Sequence, residues 1–490
     1  MKMKFAAICS ITALIASAAV SCGSTVQKAG QNPVQNSTSA STVTTEVSGD
    51  TVKTDPVRTT DAAVKPTDAA EQIMRGNIYD DKGVLLMSSH RENGREVRSA
   101  APEHKIPMAN LLWDMSEGFD LTFDKLLRTP NPTPADGDEK IGQSIKLTVD
   151  SAAQDAIYEY MQAQNIQGAV VVMRTDGSIM AEVSYPSYDP DDYYGKSTDE
   201  DLAWGTYGNK AFQNAEPGSV FKIMSEIIAD KHGVYSQYDD GTWDFGGTPI
   251  VNWDHDTNPN YPVPDRSLYS AFINSSNIFF AKTFDQIGAD AVLSDLDEHF
   301  SFGKNIDCDF GTLHNNIEIY CDDDLRRTAF GQSYVLTCPI YIAAMTNDAI
   351  HGSMARPFVL KEIVDTNDSS HKLADGSKSG DIVCSIPEQC REGIRNCMAG
   401  VGSDIGVYPP AGYQFYGKTG TAETWMGDFL YITGCICAPS DDLSTVHNDY
   451  SNYDGSYVVT MQIRNGPEHG FSFASESAWL YQGIVNTIFS

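Results

Sequence analysis

The sequence predicts an α+β fold, with one antiparallel sheet assembled from strands near both ends of a large domain and a long helical stretch between them. Three observations predict it. Two strand-like runs at 169–173 and 179–183 are joined by a turn at Asp176-Gly177. Three further strand candidates lie late in the chain, around 414–418, 430–438 and 457–463. The residues between read as mostly helical, and an amphipathic helix closes the chain over about 476–488.

The elements follow in order along 490 residues, enough for a large core with appendages. Lys2 and Lys4 precede an apolar run from Phe5 to Val20, and small residues lead to Cys22. This reads as an export signal, shorter than a comfortable membrane span. The small residue before Cys22 resembles a bacterial lipoprotein cleavage site, although Ala19 stands where that site usually carries Leu. Cys22 is therefore expected to be a lipidated N-terminus, the other reading being an uncleaved anchor helix. Residues 23–72, rich in Ser, Thr, Val, Ala and Asp, have no apolar periodicity and are expected to form a flexible tether. From Ile73 the pattern changes. A turn at 80–83 falls between short strands in a region expected to be an N-terminal unit, 73–144. The main domain, 145–490, opens with a helix whose apolar residues Ala152, Ala156, Ile157, Tyr160 and Met161 follow the capping residues Asp150 and Ser151.

The 34 Lys and Arg against 66 Asp and Glu give a net charge of −32, which argues against a nucleic-acid partner. The eight cysteines beyond the signal permit disulfides without fixing a pairing. Cys435 and Cys437 would share one face of a strand and are not expected to bond to each other. No CxxC pair or His-rich cluster points to a metal site.

Three segments carry chemistry. In Glu216-Pro217-Gly218-Ser219-Val220-Phe221-Lys222, Pro and Gly break the chain before a buried helix, so Ser219 sits at a helix start with Lys222 one turn on. A desolvated lysine can be neutral enough to take the serine proton, and free amides of the first turn can hold an oxyanion. In Ser275-Ser276-Asn277, Ser275 can relay a proton while Asn277 holds the lysine and a substrate carbonyl. In Lys418-Thr419-Gly420-Thr421, a cation and two hydroxyls on a strand can bind a carboxylate, and Gly420 permits close approach to the backbone. Each alone has an ordinary explanation: a helix cap, a turn, a strand end.

The order SxxK, SxN, KTG within one exported chain resembles the penicillin-binding proteins and serine β-lactamases. The similarity extends through 147–150, 168–190, Gly331-Gln332-Ser333 and Thr337-Cys338-Pro339, about 340 residues from Ile145 onward. Residues 75–83 resemble the RGxIxDRxG motif opening the extracytoplasmic region of class B penicillin-binding proteins, with Asp81 where the family usually carries Arg. The resemblance implies a five-stranded antiparallel sheet flanked by helices, an all-helical subdomain and a small β-rich N-terminal pedestal. It implies a peptidoglycan D,D-transpeptidase that passes a stem peptide from Ser219 to an amine, is inhibited by β-lactams and needs no cofactor. Ser219, Lys222, Ser275, Asn277 and Lys418 would be catalytic, with Thr419, Gly420 and Thr421 binding substrate. A partner glycosyltransferase and a site at the outer face of the cell membrane are implied as well. A D,D-carboxypeptidase, a β-lactamase and a non-enzymatic β-lactam sensor or scaffold are the competing readings. The class B opening block counts against the first and Ser276 in place of the lactamase Asp against the second; the lack of an apolar span after residue 22 counts against a sensor, and the intact motif set against a scaffold.

Overall fold

The computed structural model describes residues 73–112, 122–133, 140–192, 205–378, 380–424, 427–443, 455–466 and 469–490. The expected signal at 1–22, Cys22 and the tether at 23–72 lie outside them. No helix among the described residues is long and apolar enough to cross a membrane.

Eleven strands build the two principal sheets. In chain order they are β1 (Ile78–Tyr79), β2 (Leu85–Glu92), β3 (Arg95–Ala100), β4 (Ser144–Leu147), β5 (Gly168–Arg174) and β6 (Ile179–Tyr185). The remainder are β7 (Leu360–Val364), β8 (Lys372–Asp375), β9 (Gln414–Ala422), β10 (Phe429–Cys437) and β11 (Tyr457–Arg464). The principal helices are α1 (Ser151–Ala163), α2 (Lys222–Lys231), α3 (Asn277–Ile287), α4 (Pro339–His351), α5 (Arg391–Asp404) and α6 (Ala478–Ile488).

The core sheet runs β9-β10-β11-β5-β6, antiparallel throughout, joining the early pair to the three late strands. Its continuous apolar β5, Gly-Ala-Val-Val-Val-Met, follows from burial on both faces. Ala169, Val171 and Met173 point into one core with Phe221, Ile342 and Met345, whereas Val170 and Val172 point into the other with Ile157, Met161, Leu480 and Ile484. Asp150 caps α1, accepting from the Ala152 amide at 3.1 Å and the Ala153 amide at 3.4 Å.

The second sheet, β8-β7-β4-β1-β2-β3, joins residues from both sides of position 145. β1 pairs in parallel with β4, so Ile78 lies opposite Ile145. The 73–83 block is fixed by its own chemistry. A Cβ at Gly76 would fall 1.9 Å from the Gln143 carbonyl oxygen, leaving room only for glycine. Asp80 is fully buried; one oxygen accepts from the Lys82 and Val84 amides, and the other from Ser151 Oγ at 2.7 Å. Asp81 lies against two cations, Lys361 and Arg174.

The insert is helical in the main, but short two-stranded pairs interrupt it, among them Ser236–Asp239 with Val263–Ser267. All eight cysteines of the described residues are free thiols, six of them buried and Cys308 and Cys321 partly exposed.

Candidate active site

The nucleophile segment is built from close backbone contacts. Gly218–Phe221 form a 3-10 turn that runs into α2, so Ser219 lies one element before the α-helix that carries Lys222. Gly218 has φ +55°, and a Cβ there would meet the Thr421 carbonyl oxygen at 2.4 Å. Behind it, the Gly218 amide donates to the Gly331 carbonyl at 3.0 Å, and a Cβ at Gly331 would meet Gly218 O at 2.2 Å. A Cβ at Gly420 would meet the Val220 amide nitrogen at 2.9 Å and Pro217 O at 3.0 Å. The close approach that Gly420 permits is thus made by the nucleophile turn itself. Ala215 and Thr337 exchange backbone hydrogen bonds of 2.9 and 3.0 Å, tying the same turn to the start of α4.

Three predicted residues converge on the amine of a fourth, Lys222. Lys222 Nζ lies 3.0 Å from Ser219 Oγ, 3.1 Å from Ser275 Oγ, 2.7 Å from the Ser275 carbonyl oxygen and 2.7 Å from Asn277 Oδ1. The last two are obligate acceptors. A neutral amine has two hydrogens, so satisfying them leaves its lone pair for a hydroxyl proton. Lys222 is fully buried, and burial first, then the neighbouring Lys418, holds its pKa well below the ordinary lysine value. Ser219 is half-buried and opens to the cleft.

Lys418 approaches from the other side. Its Nζ donates to Ser275 Oγ at 3.1 Å and to the Thr419 carbonyl at 2.9 Å, and burial lowers its pKa to about 7. Ser275 holds a left-handed backbone, φ +53°, uncommon outside glycine. That conformation aims both its carbonyl and its hydroxyl at the amines. β9 continues through Ala422, so Lys418, Thr419, Gly420 and Thr421 lie within an edge strand of the core sheet. Thr421 Oγ1 accepts from the Ala474 amide at 3.1 Å.

The sequence reading missed the groups that hold the Ser275–Asn277 turn. Ser276 caps α3, with Oγ accepting from the Phe279 amide at 3.0 Å while donating to Asp239 at 2.6 Å. Asp239, fully buried, is paired with Arg266 at 2.5 Å. Asn252 Nδ2 donates to Asp239 at 2.9 Å, and its Oδ1 accepts from the Asn277 amide at 2.7 Å. These residues lie in the short strand pairs and their loops, and no local pattern announces them.

The cleft, about 710 Å³, is lined by Ser219, Ser275, Asn277, Thr419, Gly420 and Thr421. Trp253, from the Asn252 side, and Phe473, from the Thr421 side, meet over it edge to face with centroids 5.1 Å apart.

Residues 167–430 match the family described as the penicillin binding protein transpeptidase domain. Penicillin-binding protein 3 of Bacillus subtilis is 26% identical over 364 residues, 68% of this chain and 49% of the relative. The peptidoglycan D,D-transpeptidase MrdA of Haemophilus influenzae is 26% identical over 388 residues, 72% of this chain and 57% of that one. The chain thus spans about half the length of the curated relatives it matches. The imipenem acyl-enzyme structure of penicillin-binding protein A from M. tuberculosis superposes with a TM-score of 0.67 at 20% identity, covering 86% of this chain and 100% of the other.

Proposed function

This chain belongs to the penicillin-binding protein transpeptidase family, and from that premise we propose that it is a class B peptidoglycan D,D-transpeptidase. The observation that carries the proposal is the Lys222 amine held between two hydroxyls and two obligate acceptors. The neutral amine takes the Ser219 proton, and Oγ attacks the penultimate D-Ala carbonyl of a stem peptide. The oxyanion lies between the Ser219 and Thr421 amides, a placement supported by the approach of the 3-10 turn to β9. Ser275, between the two lysines, passes its proton to the departing D-Ala amine as the C–N bond breaks and takes in its place the proton that Lys222 received from Ser219, 3.1 Å away. Thr419, Thr421 and charged Lys418 hold the terminal carboxylate, and Asn277 orients the amine. An amine from a neighbouring strand then attacks the acyl-enzyme, regenerating Ser219 and forming the cross-link. A β-lactam, resembling the D-Ala-D-Ala end, acylates Ser219 in the same way.

The names of relatives, penicillin-binding protein 3 and peptidoglycan D,D-transpeptidase MrdA, support the substrate class. Residues 1–22, with Cys22 as a lipidated end or as part of an uncleaved helix, would anchor the chain outside the membrane. The tether 23–72 and the unit 73–144 would carry the transpeptidase domain 145–490 toward the wall beside a glycosyltransferase. The test is mass spectrometry of products from a D-Ala-D-Ala stem peptide with and without an acceptor amine. Cross-linked product is expected. Hydrolysed product alone, with acceptor present, moves the reading to a carboxypeptidase, and failure of fluorescent penicillin to label Ser219 reopens the scaffold reading.

A further inference from the structure

At the far end of β10, beyond the residues that pair with Lys418 and Thr419, three segments bring soft ligands to one buried point. His351 is the last residue of α4, Cys435 and Cys437 are the last residues of β10 on the face buried against the α4-side core, and Asp441 follows in the turn after it. The side chains of His351 and Asp441 are fully buried, as is Cys435, and Cys437 is nearly so. The two sulfurs lie 3.3 Å apart as free thiols. One ring nitrogen of His351 lies with both sulfurs in a group whose members are all within 4.8 Å of one another. His351 Nε2 is 3.1 Å from Asp441 Oδ2.

We propose that His351, Cys435 and Cys437 bind a zinc ion, with Asp441 fixing the imidazole and a solvent oxygen taking the fourth position. Several features favour this over a packed pair of thiols. Tetrahedral zinc takes sulfur at about 2.3 Å and nitrogen at about 2.0–2.1 Å, which sets its sulfurs about 3.8 Å apart. The two sulfurs, 3.3 Å apart here, would open by a few tenths of an ångström, while the nitrogen lies within the 4.8 Å span of the group. Two thiolates and an imidazole select zinc over the oxygen-seeking calcium and magnesium. Binding releases the two thiol protons, and the two thiolate charges then cancel the ion's, so the ion with its protein ligands carries no net charge into the interior. A ligating histidine characteristically has its ring held by a carboxylate, the relation between His351 and Asp441. The pattern escapes a sequence search because the cysteines are Cys-x-Cys on a strand and the histidine comes from a distant helix.

The ion would tie the end of α4 to the end of β10. The other end of α4 begins beside Thr337, which hydrogen-bonds the nucleophile segment at Ala215. Its role is therefore structural, separable from acylation at Ser219.

The test uses the full chain, expressed without a polyhistidine tag and purified without chelator. After dialysis and gel filtration, elemental analysis is expected to find one zinc ion per chain. Exchange with cobalt is expected to give a thiolate-to-cobalt charge-transfer band and the spectrum of a tetrahedral ion. Cys435→Ser is expected to abolish stoichiometric zinc, whereas Cys397→Ser, at a buried cysteine elsewhere, keeps it. Asp441→Asn, at a positioning residue, is expected to weaken zinc affinity about 10–100-fold while fluorescent-penicillin labelling persists. The proposal is overturned if the purified chain holds no zinc and takes up no cobalt, or if Cys435→Ser retains the ion. Peptide mapping that finds 435 and 437 joined as a disulfide, two hydrogens lighter, overturns it as well. Should Cys435→Ser not fold, the cobalt spectrum of the unaltered chain decides: no thiolate charge-transfer band means no site.

Discussion

Lys222 and Lys418 both lie 3.1 Å from one hydroxyl, that of Ser275, and both are buried. Two ammonium groups so placed repel each other, so the pair favours one proton rather than two. With Lys222 held well below its ordinary value and Lys418 at about 7, the sign of the pH dependence follows. Acylation needs Lys222 neutral, so kcat/KM for a stem peptide should rise from acid pH as Lys222 loses its proton. It should fall again as Lys418 loses its charge near pH 7 and the carboxylate loses its cation. A stopped-flow pH profile that stays flat on the alkaline side would remove Lys418 from this role. Lys222→Ala should slow penicillin acylation by at least 100-fold, the usual scale of a general base, and normal labelling by that variant would reassign the base. At this scale Ser219, Lys222, Ser275, Asn277 and Lys418 were all legible, because residue type and short spacing carried them. Asp239, Arg266 and Asn252 were not. They hold Ser275–Asn277 through contacts between segments that lie apart in the chain, and spacing cannot encode such contacts.

At the scale of elements, the strands of the core sheet and the helices α1 and α6 were legible from periodicity and caps. The extent of β9 was not, since its Lys-Thr-Gly-Thr stretch lacks strand hydrophobicity and is strand only because β10 pairs with it residue for residue. Gly420→Ala would press a methyl against Val220 N and Pro217 O, at 2.9 and 3.0 Å, where neither backbone can move aside cheaply. A cost of about 1–3 kcal/mol is expected from such overpacking, with acylation slowed further than stability is lowered; thermal unfolding and penicillin labelling measure the two. The N-terminal block makes a second case. Asp81, where the family motif has Arg, faces Lys361 and Arg174. Asp81→Arg, though it restores the usual motif, should destabilise this chain by about 1 kcal/mol. The charge swap with Lys361→Glu should recover part of that in a double-mutant cycle read by denaturant midpoints. No interaction energy in the cycle would mean that the pairing contributes nothing.

For the whole molecule, the sequence indicated one sheet built from distant segments but not how the N-terminal block completes a sheet. β7, from 360–364, pairs onto β4 and carries β8, from 372–375, on its outer side, so the block and the large domain share a six-stranded sheet. Asp365 reinforces the joint by accepting from Asn131 at 2.8 Å and from Thr133 at 2.6 Å. Contacts of such sequence separation are invisible to local pattern. The cleft between the Asn252 and Thr421 sides is likewise a product of assembly, bridged by Trp253 and Phe473. On the proposed activity, an extended stem peptide bound at Ser219 would reach that aromatic pair, whereas a compact β-lactam would have less need of it. Trp253→Ala is therefore expected to raise KM for a stem peptide by up to about tenfold, the worth of one aromatic contact. Penicillin acylation should change by less, and an equal loss for both ligands would contradict this role.

The nucleophile turn is gripped by bare backbone on both sides, Gly218 against Thr421 and Gly331, and Gly420 against Val220. If β-lactams acylate Ser219 as proposed, they act on a part of the molecule where backbone contacts leave few residues permitted. Room for variation lies at the rim, where the side chains of Trp253 and Phe473 line the cleft. The same absence of side chains that brings the hydroxyl into place closes the centre to variation and leaves adaptation to the doorway.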